Sequence, residues 1–210
     1  MRPPDEAGRP APAGCGAPGG ADTSLAAVVD ALSGTGNGSS HLYRAPRPRP
    51  LPSRDEVAAI VETLRSILFP GYFGTPELTA ESMRFHVGAA LDRVSRSLGD
   101  QVGRGLCFFC AGNDPDRCPD CYDPIRCADC EDRARMITAR FIERLPEVRR
   151  LLATDVAAAF EGDPAATSPD EAIFCYPGIR AITSHRIAHE LQVLGVPIIP
   201  RMIAEIAHGQ

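Results

Sequence analysis

The 210-residue sequence lacks the features of several protein classes. No stretch approaches the roughly 20 apolar residues that span a bilayer, and the start M-R-P-P-D-E has no apolar run of the kind a secretory signal needs. There is no lysine, and the net charge of -5 leaves no basic excess for a nucleic-acid backbone. We therefore expect a soluble, cytoplasmic protein that binds neither membranes nor nucleic acids.

Alternating apolar and polar residues, the pattern typical of β-strands, are also missing. The sequence has no glycine-rich phosphate loop and no G-x-S-x-G motif, so no serine stands out as a nucleophile. Apolar residues make up 44% of the chain, enough for a core, and they recur at helical spacing. The predicted fold class is mainly α.

Residues 1–52 contain nine prolines and eight glycines and are predicted to be a disordered tail. Helical spacing begins at Ser53, where S-R-D-E has the form of a capping box. One helix is predicted from there to Pro70, and a second from Thr75 to about Gly99, giving a helical hairpin over residues 53–106. Further helices are predicted at about 134–145, 146–160, 179–194 and 200–208, with a short helical turn after Ser168. Gly195 is predicted to close the helix that ends at residue 194.

Three C-x-x-C pairs follow one another between residues 107 and 130. Two such pairs complete a tetrahedral four-thiolate zinc site, so we predict a loop-rich zinc knuckle whose pairs each bind through a tight turn. Six thiolates exceed one site, which leaves one pair spare or two zinc ions sharing bridging thiolates. An iron–sulfur cluster and redox-active or unligated thiols are the alternatives. The candidate metal ligands are Cys107, Cys110, Cys118, Cys121, Cys127 and Cys130.

Two histidines lie four residues apart in H-R-I-A-H-E, at His185 and His189. The string differs from the zinc-protease motif H-E-x-x-H because Glu190 follows the histidines instead of lying between them. We interpret both histidines as scaffold, and His86 as a helix-surface residue.

Three segments resemble the serine O-acetyltransferases: G-D-P-A-A at 162–166, Y-P-G-I-R-A-I-T-S-H-R-I-A-H-E-L at 176–191, and G-V-P-I-I-P-R-M-I-A-E-I-A-H at 195–208. The similarity covers residues 135–210 well and residues 53–98 more loosely, while the cysteine pairs lie outside the family pattern. Residues 131–210 are thus identified as a serine acetyltransferase helical segment. The resemblance implies the N-terminal helical part of that family, followed in the family by a left-handed β-helix that this sequence does not contain.

The resemblance also implies a function, transfer of an acetyl group from acetyl-CoA to L-serine in cysteine biosynthesis. The catalytic histidine and aspartate of the family lie in the β-helix, so no catalytic residue is assigned here, and most of the acetyl-CoA site is absent too. Asp163 matches the aspartate that contacts the amino group of serine; a simple helix-stop turn is the alternative. Arg186 is expected in a buried or intersubunit ion pair. Homo-oligomers, trimers or dimers of trimers, are implied, with O-acetylserine sulfhydrylase a candidate partner whose docking residues lie beyond this sequence.

Two hypotheses remain open at this point. The chain is either a fragment of a serine acetyltransferase that acts only with its β-helix, or a complete, non-catalytic, zinc-stabilised helical module for oligomerisation or binding. In both cases we expect the 210 residues alone to be inactive.

Overall fold

The computed structural model describes residues 24–33, 50–74, 79–113 and 128–209. These ranges contain seven helices and no β-strand, in agreement with the predicted fold class. None of the described helices is both long and apolar enough to cross a membrane. In chain order the helices are α1 (Leu25–Ser33), α2 (Arg54–Leu68), α3 (Ala80–Asn113), α4 (Ala128–Gly162), α5 (Pro169–Cys175), α6 (Pro177–Val193) and α7 (Ile199–His208).

Helix α1 lies within the segment predicted to be a disordered tail. It belongs to a unit of residues 1–46, while α2 to α7 belong to the other unit, residues 47–210. None of its nine residues is buried. Leu25 and Leu32 expose 79% and 82% of their surface, so α1 presents its apolar side chains to solvent.

Helix α2 begins where the capping box predicts. The Ser53 hydroxyl accepts a hydrogen bond from the amide of Glu56, at 3.3 Å, which satisfies one of the unpaired donors of the first turn. The amide of Ser53 donates in turn to the side-chain oxygen of Gln101 at 2.8 Å. Gln101 is buried on α3, so the start of α2 is tied to the middle of the next helix.

Helix α3 is longer than predicted, since it continues past Gly99 to Asn113. Val94, Leu98, Val102 and Leu106 lie four residues apart and are all buried, so the apolar stripe of the helix is uninterrupted. A glycine inside a helix costs about 1 kcal/mol relative to alanine. Packing of this stripe outweighs that cost, and the prediction of a helix end at Gly99 was wrong.

Helix α4 is likewise one helix where two were predicted, and it contains Pro146 in its interior. Proline lacks the amide hydrogen that the helix would use, which is why the sequence suggested a break. Phe141, Leu145, Val148 and Leu152 nevertheless form one buried stripe across the proline. The two halves therefore stay collinear enough to bury the same face.

The core lies between α3, α4 and the helices that pack on them. Helix α3 packs along α4, α2 packs on α3, and α6 packs on both α4 and α7. The largest fully buried side chains come from all these helices and include Leu64, Leu98, Phe141, Leu152, Ile187, Leu191, Ile199 and Ile203.

The turn between α6 and α7 is closed by Gly195, as predicted. Gly195 has φ of 75°, a left-handed conformation that glycine adopts at little cost. The amide of Val196 donates to the carbonyl of Leu191 at 3.0 Å. This turn meets α3 closely at Gly105, where an added Cβ atom would lie 3.2 Å from the carbonyl oxygen of Pro197.

The close contact at Gly105 gives a matched pair of tests on one helix. Gly88→Ala adds a methyl group where nothing lies within 4 Å, so we expect the free energy of unfolding to rise by about 1 kcal/mol through helix propensity. Gly105→Ala gains the same propensity, but the Pro197 carbonyl must shift to make room for the methyl group, so we expect its free energy of unfolding to lie below that of Gly88→Ala. Urea unfolding followed by circular dichroism measures both, and equal stabilisation by the two substitutions would contradict the close packing.

Candidate functional site

Asp163 lies directly after the last residue of α4, in the turn that leads to α5. Its Oδ1 atom accepts a hydrogen bond from the amide of Ala165 at 2.9 Å, the arrangement of an Asx turn. The carbonyl of Asp163 accepts from the amide of Ala166 at 3.0 Å. The helix-stop role considered from the sequence is therefore present, and it uses only one of the two carboxylate oxygens.

The second carboxylate oxygen of Asp163 is held by Tyr176. The tyrosine hydroxyl donates to Oδ2 at 2.5 Å, and Tyr176 is placed there by the junction at which α5 ends and α6 begins. This hydrogen bond, with that from Ala165, holds the pKa of Asp163 below its ordinary value. The same bond raises the pKa of Tyr176 to about 12. Asp163 is thus kept ionised and fixed in orientation.

A second carboxylate, Glu171, lies in the first turn of α5. It accepts hydrogen bonds from the amide and the hydroxyl of Thr167, at 2.8 and 2.7 Å. These bonds lower the pKa of Glu171, while the negative charge of Asp163 acts in the opposite direction. The local field is therefore negative, and a ligand carrying a positive charge fits it best.

Aromatic side chains join this region to the end of α2. The Tyr72 hydroxyl donates to Oδ1 of Asp170, and this bond raises the pKa of Tyr72. The rings of Phe73 and Phe174 stack with their centroids 5.8 Å apart. These contacts hold α5, and with it the turn that carries Asp163, against the residues that follow α2.

The cysteine cluster falls largely outside the described residues. Cys118, Cys121 and Cys127 lie there, as does the side chain of Cys110. Cys107 and Cys110 lie within α3. The backbone of this pair is therefore helical, and the prediction of a tight turn between the two cysteines was wrong for it. Cys130 is buried near the start of α4. Among the described residues no three His, Cys, Asp or Glu side chains are close enough together to hold a metal.

Helix α6 carries the two histidines and Arg186. The imidazole rings of His185 and His189 are 6.1 Å apart, and both residues are exposed. Arg186 forms a bidentate ion pair with Asp155 of α4, in which Nε donates to Oδ2 at 2.5 Å and Nη2 to Oδ1 at 2.7 Å. The ion pair expected for Arg186 is therefore made within the chain, and it ties α6 to α4. His86 is half-buried on α3.

Comparison with known proteins points in one direction. The protein named "Serine acetyltransferase, plasmid" of Synechococcus elongatus is 42% identical over 162 residues, which is 77% of this chain and 48% of that protein. A serine acetyltransferase of Mycobacterium tuberculosis is 49% identical over 51 residues, or 24% of this chain and 22% of that protein. No model of a known protein family matches the sequence.

The fold agrees with these matches. The crystal structure of Entamoeba histolytica serine acetyltransferase 1 in complex with L-cysteine superposes with a TM-score of 0.53 at 27% identity. It matches 80% of this chain and 50% of that one. The native form of the same enzyme gives a TM-score of 0.52 at 26% identity.

Over 77% of its length the chain is thus similar to a serine acetyltransferase, in sequence and in fold. It spans about half the length of the Synechococcus relative and of the Entamoeba structures that it matches. The described helices correspond to the helical N-terminal domain of the serine acetyltransferase fold.

The bond between Tyr176 and Asp163 can be tested by titration. In Tyr176→Phe the hydroxyl donor is lost, so we expect the pKa of Asp163 to rise toward the ordinary aspartate value and the carboxylate to lose its charge at higher pH. Carbon-13 NMR of the side-chain carboxyl groups measures this directly. Tyr72→Phe is the control, because it removes the bond to Asp170 and leaves Asp163 unchanged. An unaltered titration of Asp163 in Tyr176→Phe would show that the bond does not form in solution.

Proposed function

We propose that this chain supplies the helical part and one substrate contact of a serine O-acetyltransferase, which converts acetyl-CoA and L-serine to O-acetyl-L-serine and CoA. The observation that carries the proposal is the 42% identity to a serine acetyltransferase over 77% of the chain. The geometry at Asp163 supports it, because a fixed, ionised carboxylate is the partner that the ammonium group of serine requires.

Asp163 retains the capacity to bind a ligand although both its oxygens accept hydrogen bonds within the chain. An ionised carboxylate offers about four lone-pair sites, and the bonds from Ala165 and Tyr176 use two of them. The remaining sites can accept from an ammonium group. Since the pKa of Asp163 is lowered, its charge persists into mildly acidic solution.

The acetyl transfer itself is proposed to require residues beyond this sequence. In the reaction the hydroxyl oxygen of serine attacks the thioester carbon, a base takes the hydroxyl proton, and the CoA thiolate leaves. In the family the base is a histidine oriented by an aspartate, both carried by the left-handed β-helix. In this proposal the helical part binds the amino group of serine. The 210 residues alone are expected to have no acetyltransferase activity.

The proposal is tested by sequencing the DNA beyond codon 210 and assaying the protein encoded by the extended reading frame. We expect a downstream β-helix and L-serine-dependent thiol release from acetyl-CoA, with none from the 210 residues alone. Asp163→Asn in the extended protein keeps an oxygen for the amide of Ala165 but removes the charge. We expect its KM for L-serine to rise about tenfold, the effect of losing one charge-assisted hydrogen bond.

Asp163→Ala is the companion variant, because it removes the turn contact together with the charge. If the Asn variant binds serine normally and only the Ala variant fails, Asp163 is a turn residue alone. A stop codon at position 211 without β-helix code, or an extended protein without turnover, would remove the acetyltransferase proposal for this chain.

In that event a helical oligomerisation module is the second candidate function. Large apolar side chains that are exposed on α3 and α4 favour it, among them Phe85, Phe109 and Met136. Such exposed apolar surface is the kind that self-association covers. Trimers or dimers of trimers are the proposed assemblies.

We further propose that the cysteine pairs bind structural zinc. Two C-x-x-C pairs supply a complete tetrahedral thiolate site, and an all-thiolate site leaves no open position for catalysis. Cys107 lies near the C-terminal end of α3 and Cys130 near the N-terminal end of α4, and these two helices pack together. A metal bound by this segment would therefore link those two helix ends.

Metal content decides the zinc proposal. Mass spectrometry of the purified chain, prepared with reductant, is expected to show about one or two zinc ions per molecule. The double change Cys118→Ser and Cys121→Ser is expected to lower that content, whereas Cys175→Ser, which alters an exposed cysteine outside the cluster, is expected to leave it unchanged. Iron with a visible absorption band would favour the cluster alternative, and a metal-free protein with six titratable cluster thiols would refute ligation.

A further inference from the structure

A groove of about 780 Å³ opens between the residues that follow α2 and the helices α5, α6 and α7. Its volume lies in the range of roughly 300–1,000 Å³ that small-molecule sites occupy. Tyr176 lines one side of this groove, yet Asp163, to which Tyr176 donates, does not. The groove is therefore a separate feature that neighbours the Asp163 turn.

Charge in the groove has the opposite sign to that around Asp163. Among the described residues, the side chains that line it include Arg65, Arg180, His185 and His208, and no aspartate or glutamate. Both arginines pair with a single carboxylate, Glu62, at 2.7 and 2.9 Å. One negative charge thus serves two guanidinium groups, and the lining keeps an excess of positive charge in a chain whose net charge is -5.

Arg65 also has a donor for which the described part of the chain offers no acceptor. Its side chain is 10% exposed, and among the described residues its buried Nε atom has no hydrogen-bond partner. A buried guanidinium donor without an acceptor destabilises the folded protein. An acceptor brought in by a ligand would remove that cost.

Flat apolar surface lies beside these arginines. The guanidinium carbon of Arg65 sits 4.2 Å from the centroid of the Phe73 ring, and Phe73 stacks on Phe174. Phe174 is 63% exposed, so much of its side chain remains open to contact with a further group. Stacked aromatic rings attract each other beyond the gain from burying their area.

We propose that this groove binds a small organic anion, a carboxylate or phosphate attached to a flat apolar group. The anionic group pairs with Arg180 and Arg65, and the flat group packs on Phe174. Guanidinium groups bind both kinds of anion through paired hydrogen bonds, so the two sources share one chemistry. The proposal does not depend on acetyl transfer or on serine binding.

The test uses the 210-residue chain and three probes of matched shape: benzoate, phenyl phosphate and the neutral benzyl alcohol. Amide resonances are followed by two-dimensional NMR as each probe is added. We expect an anionic probe to shift the amides of Phe73, Cys175 and Arg180, with a Kd at least about tenfold lower than that of benzyl alcohol. The stronger of benzoate and phenyl phosphate identifies the preferred anion.

Arg180→Gln is the deciding variant, since it removes one charge while Glu62 stays paired with Arg65. We expect it to raise the Kd of the anionic probe about tenfold, the equivalent of about 1.4 kcal/mol. Arg201→Gln is the matched control, an exposed arginine on α7 that does not line the groove. Phe174→Ala is expected to weaken the binding of benzoate and of benzyl alcohol by similar factors.

Three results would overturn the proposal. The first is equal affinity for the anionic and neutral probes, and the second is equal weakening by the Arg180 and Arg201 changes. The third is a set of shifts confined to residues outside the groove. The spectrum of each variant without a probe shows whether it is folded, so a loss of binding can be separated from a loss of structure.

Discussion

The contact between the apolar stripes of α3 and α4 is the constraint on which the rest of the fold depends. These helices have 34 and 35 residues, and helices gain most of their stability from burying such a face. Leu98, Phe141 and Leu152 are almost completely buried along the contact. Helices α2 and α6 add to this pair, and α7 closes the core through Ile199 and Ile203. The turn with Asp163 takes its position from the end of α4.

The same contact explains what could and could not be predicted from the sequence. Signals for starting and closing helices were accurate at Ser53 and Gly195, because those residues act on their immediate neighbours. Signals for breaking helices failed at Gly99 and Pro146, where burial of a continuous stripe exceeded the local cost. Asp163 was found only through the family resemblance. Tyr176 was missed because its bond to Asp163 spans 13 residues and requires α5 to be in place.

Asp163 shows that a structural role and a binding role need not exclude each other. One oxygen closes the turn through Ala165, and the other is oriented by Tyr176. Both bonds favour the ionised form, so the interactions that shape the turn also maintain the charge a substrate ammonium would meet. The arginine-lined groove beside Tyr176 has the opposite electrostatic character. Two regions a short distance apart on the surface are thus suited to ligand groups of opposite charge.

The unbroken length of α4 also has a mechanical consequence. With a rise of 1.5 Å per residue, the helix is about 50 Å long along its axis, with Cys130 in its first turn and Asp163 just beyond its last. If a helix of that length rotates by about 1° about one end, its other end moves by almost 1 Å. Catalytic groups are sensitive to displacements of that size. Whatever fixes the cysteine end of α4 therefore also helps to aim the carboxylate at the opposite end.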